Sequence, residues 1–321
     1  MRSVVFSALK NEGPFILEWV AHHKALGFDD VVIVSNDCDD GSFELLDALD
    51  REGIIRHIPN VLEGPEPPQV QAEKKARDHN AFAFGDYVLW LDMDEFLCPP
   101  ENATSVQDMI TEIELRKGHA VLLNWRVMGD SNRRGLPNGF IIDQFTGCAR
   151  DFTSVNREVK TLFQYSEAID RLHFHQPMWK PDYFKEIKLL DGRGAELPET
   201  YVTRRSKFGT PRSGVTPRRA MSRLGRINHY AVRTPDLFQM KQRRGLGFFG
   251  KDNGEFLDRY SEEYYTYYNQ NIRQSHAILR FRDPLLDVYQ SYVSLPRIAQ
   301  AHSTCVVNAL KRIPPTGQIA A

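Results

Sequence analysis

Apolar and polar positions alternate along the first 127 residues in a way that predicts strand, helix, strand. Residues 3–9 form a short apolar run, read as a strand. Pro14 suits a first helical position and Gly27 a stop, which frames a helix over 15–26. Residues 30–35 are rich in Val and Ile and read as a second strand. Ser42 is placed to cap a helix running to Glu52 and closed by Gly53. A third strand is expected over 54–58, then a loop over 59–68 carrying four prolines. A helix is expected over 69–84, ended by Gly85, and a fourth strand over 87–91. A helix over 106–117 and a strand over 120–127 follow. This order predicts an α/β fold with a doubly wound sheet flanked by helices.

The pattern then weakens. Residues 128–190 hold short strand-like pieces among Gly, Asn and Pro. Residues 193–226 carry nine Lys/Arg against two Glu and read as a mobile basic loop, with Arg204, Arg205 and Lys207 placed to fold over a phosphate. Helices return around 235–244 and over 284–311, the latter interrupted near Pro296. The expected organisation is a catalytic unit over 1–234, with one half about 1–98 and a second about 99–234, and a helical extension over 235–321. The extension is expected to pack back on the sheet, with a homodimer seam and a membrane contact as the other readings.

Composition changes this picture little. Lys+Arg is 41 against Asp+Glu 42, so the net charge of -1 gives no global pull toward nucleic acid. No run reaches the roughly 18 apolar residues of a membrane span, and the chain enters a strand directly after Met1. Cys38, Cys98, Cys148 and Cys305 are far apart and read as reduced thiols. These features predict a cytoplasmic protein without a transmembrane segment, peripheral at most to the inner membrane face.

The chemistry gathers at strand ends. The run Val88 to Leu91 leads into Asp92-Met93-Asp94-Glu95-Phe96-Leu97. Ligands of open α/β sheets bind outside the carboxyl ends of the strands. Crowded carboxylates there repel unless a positive group lies between them. A hard divalent cation does this and also bridges to diphosphate oxygens. An Asp-x-Asp triplet occurs by chance about once in such a chain, so its place at the end of an apolar strand carries the weight. Asn11 and Glu12 follow the first strand, and Asn36 and Asp37 the second. Residues of these types read the edge of a nucleotide base, and they also serve ordinary turns. Arg77 and Asn80, three apart on the expected helix, would share a face, where Arg77 can meet a diphosphate. His173 and His175 would point the same way in a strand, as a metal pair or a solvated face.

Together these residues resemble the family 2 glycosyltransferases, in the branch allied to family 92 with its Asp-x-Asp-Glu-Phe signature. The likeness runs from Lys10-Asn11-Glu12, Glu18-Trp19-Val20 and His22-His23-Lys24 through Asn36-Asp37 and Asp39-Asp40-Gly41-Ser42. It continues through Arg77, Asn80, Asp92 to Leu97, Trp125 to Gly129 and Lys160. It closes on Asn228-His229-Tyr230, Lys241 and Arg244-Gly245. The resemblance implies a GT-A fold, a Mn2+ or Mg2+ ion and a UDP- or GDP-sugar donor. It implies that Asp94 binds the metal directly, that Asp92 serves the metal or the ribose, that His229 closes on the metal or the diphosphate, and that Asn11, Glu12 and Asp37 face the base. Lys160 and Lys241 join the donor site. The reaction implied is inverting transfer of a hexosyl group to a glycan or lipid-linked hydroxyl. The family often has Gly-Ser where this chain has Gly129-Asp130; the candidate bases are Asp130 and Asp151, with Asp130 favoured because it directly follows the strand over 120–127. A nucleotidyltransferase and a non-catalytic nucleotide- or glycan-binding protein are the other readings. The first normally needs a Gly-rich phosphate loop after the first strand, and only Gly13 stands there.

Overall fold

The computed structural model describes residues 1–205, 214–215, 222–244 and 261–313. Its first half runs β1 (Ser3–Leu9), α1 (Gly13–Ala25), β2 (Asp30–Asn36), α2 (Ser42–Arg51), β3 (Arg56–Asn60), α3 (Pro68–Asp78), β4 (Tyr87–Trp90), β5 (Glu95–Cys98), α4 (Val106–Leu115) and β6 (Ala120–Val127). Shorter pieces follow: α5 (Ile141–Gln144), β7 (Gly147–Cys148), β8 (Val159–Gln164), β9 (Ile169–Arg171), β10 (Met178–Trp179), β11 (Leu189–Leu190) and α6 (Thr200–Thr203). Then come β12 (Arg226–His229), α7 (Pro235–Arg244), α8 (Glu262–Tyr268), β13 (Arg273–Gln274), α9 (Arg282–Val293) and α10 (Pro296–Arg312).

Nine of these strands form one mixed sheet in the order β3-β2-β1-β4-β8-β6-β12-β5, with β11 beside β6. The pairs β3-β2, β2-β1, β1-β4 and β6-β12 are parallel, whereas β8 and β5 run antiparallel to their neighbours. This is the GT-A type α/β architecture, with a C-terminal set of helices. Helices cover both faces, so β4 is buried along its whole length and reads as a continuous apolar run. One core lies under α1, α2, α4, α9 and α10. The other lies under α3 and the segments around β9 to α6.

Helix α1 is buried on nearly every side because α9 and α10 pack over it as well as the sheet below. Leu285, Ile298, Cys305 and Ala309 are buried in that contact. The C-terminal helices therefore complete the core. Among the described residues, no helix is long and apolar enough to cross a membrane.

Several boundaries differ from the sequence reading. The third strand starts two residues late, at Arg56, because Gly53 and the turn after it occupy the expected start. Ser42 is the first helical residue of α2 rather than its cap. The Asp40 carboxylate accepts from Ser42 N at 2.9 Å instead. Helix α3 ends at Asp78 and not near Phe84, because Asn80 takes a left-handed conformation with φ 52°. Asn80 is thus outside the helix and shares no face with Arg77. His173 and His175 lie in a bend between β9 and β10, not in a strand. Lys207 and much of the basic loop, residues 206–213 and 216–221, fall outside the described residues.

Candidate active site

Asp92, Asp94 and Glu95 leave the end of β4 in different directions and meet different partners. On one side stands Lys160 of β8, fully buried, with Nζ 2.8 Å from Glu95 Oε2 and 3.0 Å from Asp92 Oδ2. Asp92 N also donates to Glu95 Oε2 at 2.8 Å. Burial works against the Lys160 charge, but the two carboxylates outweigh it and raise its pKa. Burial pushes the Glu95 carboxyl up to about 8, against the pull of Lys160. Lys160 therefore keeps its proton, and Asp92 keeps a side chain that is one third exposed.

On the other side Asp94 meets two groups from the far end of the chain. Its carboxylate takes the Lys241 ammonium. His229 Nε2 lies 3.7 Å from Asp94 Oδ2, beyond hydrogen-bond length. Burial raises the Asp94 pKa, yet Lys241 and His229 overcome it and hold the group well below the carboxylate range. Burial likewise outweighs Asp94 at His229 and lowers its pKa, which keeps the imidazole neutral. The ring stacks on Trp125, centroids 4.0 Å apart, and its Nδ1 has no hydrogen-bond partner. Strand β12 brings it there: it pairs with β5 so that His229 stands opposite Glu95, and with β6 so that His229 stands opposite Val127.

A cluster of three His, Cys, Asp or Glu side chains able to hold a metal is absent among the described residues. Mg2+-type ions do not require one. They take one or two protein ligands and complete their shell with water and substrate phosphates. A carboxylate and a neutral imidazole 3.7 Å apart suit such an ion. Asp94 and His229 therefore fit a cation shared with a diphosphate, once Lys241 yields its place on Asp94.

Arg233 was not singled out from the sequence, yet it ties the site together. Its guanidinium donates to Glu12 Oε2 at 2.8 Å and to Met93 O at 3.0 Å, and lies over the Phe15 ring. Glu12 is buried by this pair. Asn11 and Asp39 exchange two hydrogen bonds, at 2.7 and 2.9 Å, which joins the loops after β1 and β2. Asn36 is buried and accepts from Asn60 at 2.7 Å, while Asp37 is exposed. Asn11, Asp37 and Asn80 share one backbone feature, φ of 53°, 41° and 52°. Asn and Asp tolerate this region better than other side chains, so turn geometry accounts for these residue types. Arg77 is held by Glu73 at 2.7 Å and by Asp170 O at 3.2 Å.

The two acids proposed as base differ. Asp130 accepts from Tyr265 Oη at 2.7 Å, Asn269 and Asn271 Nδ2 at 2.9 Å each, and Asn132 N at 2.9 Å. These donors outweigh burial and lower its pKa. Asp151 is exposed and pairs with Arg126. Of the basic loop, Arg204 stacks on Tyr201 and donates to Gly214 O at 2.9 Å.

The opening motif has a structural task. Trp19 Nε1 donates to Glu95 O at 2.8 Å, His22 Nε2 contacts Leu97 O at 2.8 Å and His23 Nε2 accepts from Leu97 N at 3.4 Å. One helix thereby fixes β5, the strand that continues from the carboxylates.

Residues 7–191, more than half of the chain, match the model of glycosyltransferase family 92. A glycosyltransferase family 92 protein of Oryza sativa subsp. japonica is 28% identical over 114 residues, 35% of this chain and 18% of that protein. One of Ricinus communis is 31% identical over 113 residues, 34% of this chain and 18% of that protein. The chain thus matches under a fifth of the length of these curated relatives. Among solved structures, S. aureus TarS 1-349 in complex with UDP-GlcNAc is similar at 18% identity and TM-score 0.33, covering 51% of this chain and 45% of that one. The same protein in complex with UDP matches at 13% identity and TM-score 0.36, covering 97% and 90%. The family match spans β1 to β11 and includes every strand that leads into the carboxylate cluster, so the chain belongs to glycosyltransferase family 92.

Proposed function

We propose that this chain transfers a hexosyl group from a UDP- or GDP-sugar to a hydroxyl of a glycan or lipid-linked acceptor, with inversion and with Mn2+ or Mg2+. The observation that carries the reading is the meeting of Asp94, His229 and Lys241 at the end of β4. Asp94 and His229 would hold the ion. When bound, it would supply positive charge to the leaving diphosphate. The Lys241 ammonium adds charge at the same place. Asp92, one third exposed beside Lys160, keeps acceptor capacity for a donor hydroxyl. Glu12 is committed to Arg233 and Asn36 is buried against Asn60, which leaves the exposed Asp37 as the better candidate to face the base. Four donors depress the basicity of Asp130. Asp151, exposed with one ionic partner, keeps carboxylate surface open to the attacking hydroxyl and is the candidate base.

The test is a panel of nucleotide sugars with Mn2+, read by thermal shift and by release of nucleoside diphosphate. A matching donor raises the midpoint by mass action, and Asp151→Asn lowers transfer far more than Asp130→Asn does when both fold. Absence of any shift across UDP- and GDP-sugars would sink the reading.

A further inference from the structure

A cavity of about 290 Å³ opens beside Lys241, between α7, the end of α10 and the loops after β1 and β2. Its floor is apolar, formed by Phe15, Leu237, Met240 and Ala309. Arg233, Lys241, Arg243, Lys311 and Arg312 give it five cations. Three already have acidic partners: Arg233 has Glu12, Lys241 has Asp94, and Arg312 has Asp39 at 3.0 Å. The carboxylate of Asp40, also on the wall, is taken by the N–H groups of Gly13 and Ser42. Arg243 and Lys311 remain, each without an ion pair among the described residues. They stand on two helices that wall the same cleft.

We propose that this cleft is a second subsite, which takes the phosphate of a phosphorylated acceptor through Arg243 and Lys311 and its attached group on the apolar floor. The word acceptor rests on the glycosyl-transfer reading; the anion site does not. A guanidinium and an ammonium lining one cleft suit phosphate. The volume is at the low end for ligand sites, room for a phosphate and one attached group rather than a whole nucleotide sugar. The α10 wall is fixed in place. Arg312 donates to Asp39 O at 2.6 Å and Asn308 to Asp40 O at 3.1 Å. Cys305 packs so closely on Gly13 and Gly41 that a Cβ on either would meet its sulfur at 2.7 and 3.2 Å. The cleft also touches Lys241, whose ammonium lies on Asp94, so a group bound there is next to the reacting centre.

The experiment is calorimetric titration of the full chain with phenyl phosphate, with benzoate and phenol as controls, each with and without UDP and Mn2+. Phenyl phosphate is expected to bind saturably and together with UDP. Arg243→Ala and Lys311→Gln are each expected to weaken it by about tenfold, the loss of one charge-assisted hydrogen bond, and to leave UDP affinity unchanged. Lys311 is exposed, so Lys311→Gln decides alone should Arg243→Ala misfold. Three results overturn the proposal: displacement of phenyl phosphate by UDP, benzoate or phenol binding as tightly, or variants that bind phenyl phosphate like the parent. Failure of UDP and GDP to bind, with the variant effect on phenyl phosphate intact, would instead reject glycosyl transfer and leave the anion site standing.

Discussion

The two lysines beside the carboxylates, Lys160 and Lys241, neutralise neighbouring residues of one motif in different ways. Lys160 is wholly enclosed and holds both Asp92 and Glu95. Lys241 retains 16% side-chain exposure and holds Asp94 from the mouth of a cleft. The first cannot leave without stranding a buried acid. The second also holds a buried acid, but it is itself partly open to the cleft, where another cation could take its place. The motif is therefore divided into a fixed half around Lys160 and an exchangeable half around Lys241, which the proposed function makes the chemical one.

The largest effect should come from the fixed half. Lys160→Met removes one partner of a buried pair and should cost about 3–5 kcal/mol. Urea unfolding measures this, and adding Glu95→Gln should restore part of the loss. A Lys160→Met protein as stable as the parent would abolish the distinction.

The exchangeable half should show the opposite pattern. Asp94→Asn should cost less stability than Lys160→Met, because Lys241 is partly open to water, and reduce transfer by at least about a hundredfold, as loss of a charge-stabilising group does. Normal transfer by folded Asp94→Asn would place the ion elsewhere. His229→Ala should weaken Mn2+-dependent donor binding by roughly tenfold or more, read by titration of the folded fraction. A purely structural histidine would lower stability and leave that affinity alone.

Acid should loosen the fixed half through α1. Burial lowers the His22 pKa to about 4, and that of His23 well below its usual value, with His22 adding to the effect. The unfolded chain takes up these protons near pH 6.5 and the folded chain does not. Their contribution is thus complete above about pH 6.5 and is lost as pH falls toward 4, by up to about 1.4 kcal/mol per pH unit for each histidine. Stability at pH 7, 6 and 5 should decline in the parent and decline less in His22→Gln. Identical slopes would show that His22 does not hold β5 as its contact with Leu97 indicates.

Much of this was legible in the chain itself. The bounds of β1 and β6 follow the apolar runs closely, because each is buried between covered faces. The end of α3 was not legible. Residues 79–84 carry no Pro or Gly to stop a helix, and the stop is one asparagine in a left-handed conformation. Asn80 therefore lost its place beside Arg77. The prominence of Asn11, Asp37 and Asn80 was legible as residue type, but their backbone angles give that type a second cause. Asp130 attracted attention as an acid after a strand, and only the distant Tyr265, Asn269 and Asn271 show that its lone pairs are already used.

By itself the sequence determined where strands end and which acids stand there, because periodicity and turn chemistry act over a few residues. The tertiary structure alone decided which cation each acid receives. Lys160 is 68 residues from Asp92, Lys241 is 147 from Asp94 and Arg233 is 221 from Glu12. No local pattern records such pairings. They arise when β8 inserts between β4 and β6 and when β12 returns between β6 and β5. Desolvation then sets the outcome for the cations: Lys160, closed off from water, must keep its acids, whereas Lys241 reaches the cleft, where a ligand can meet it.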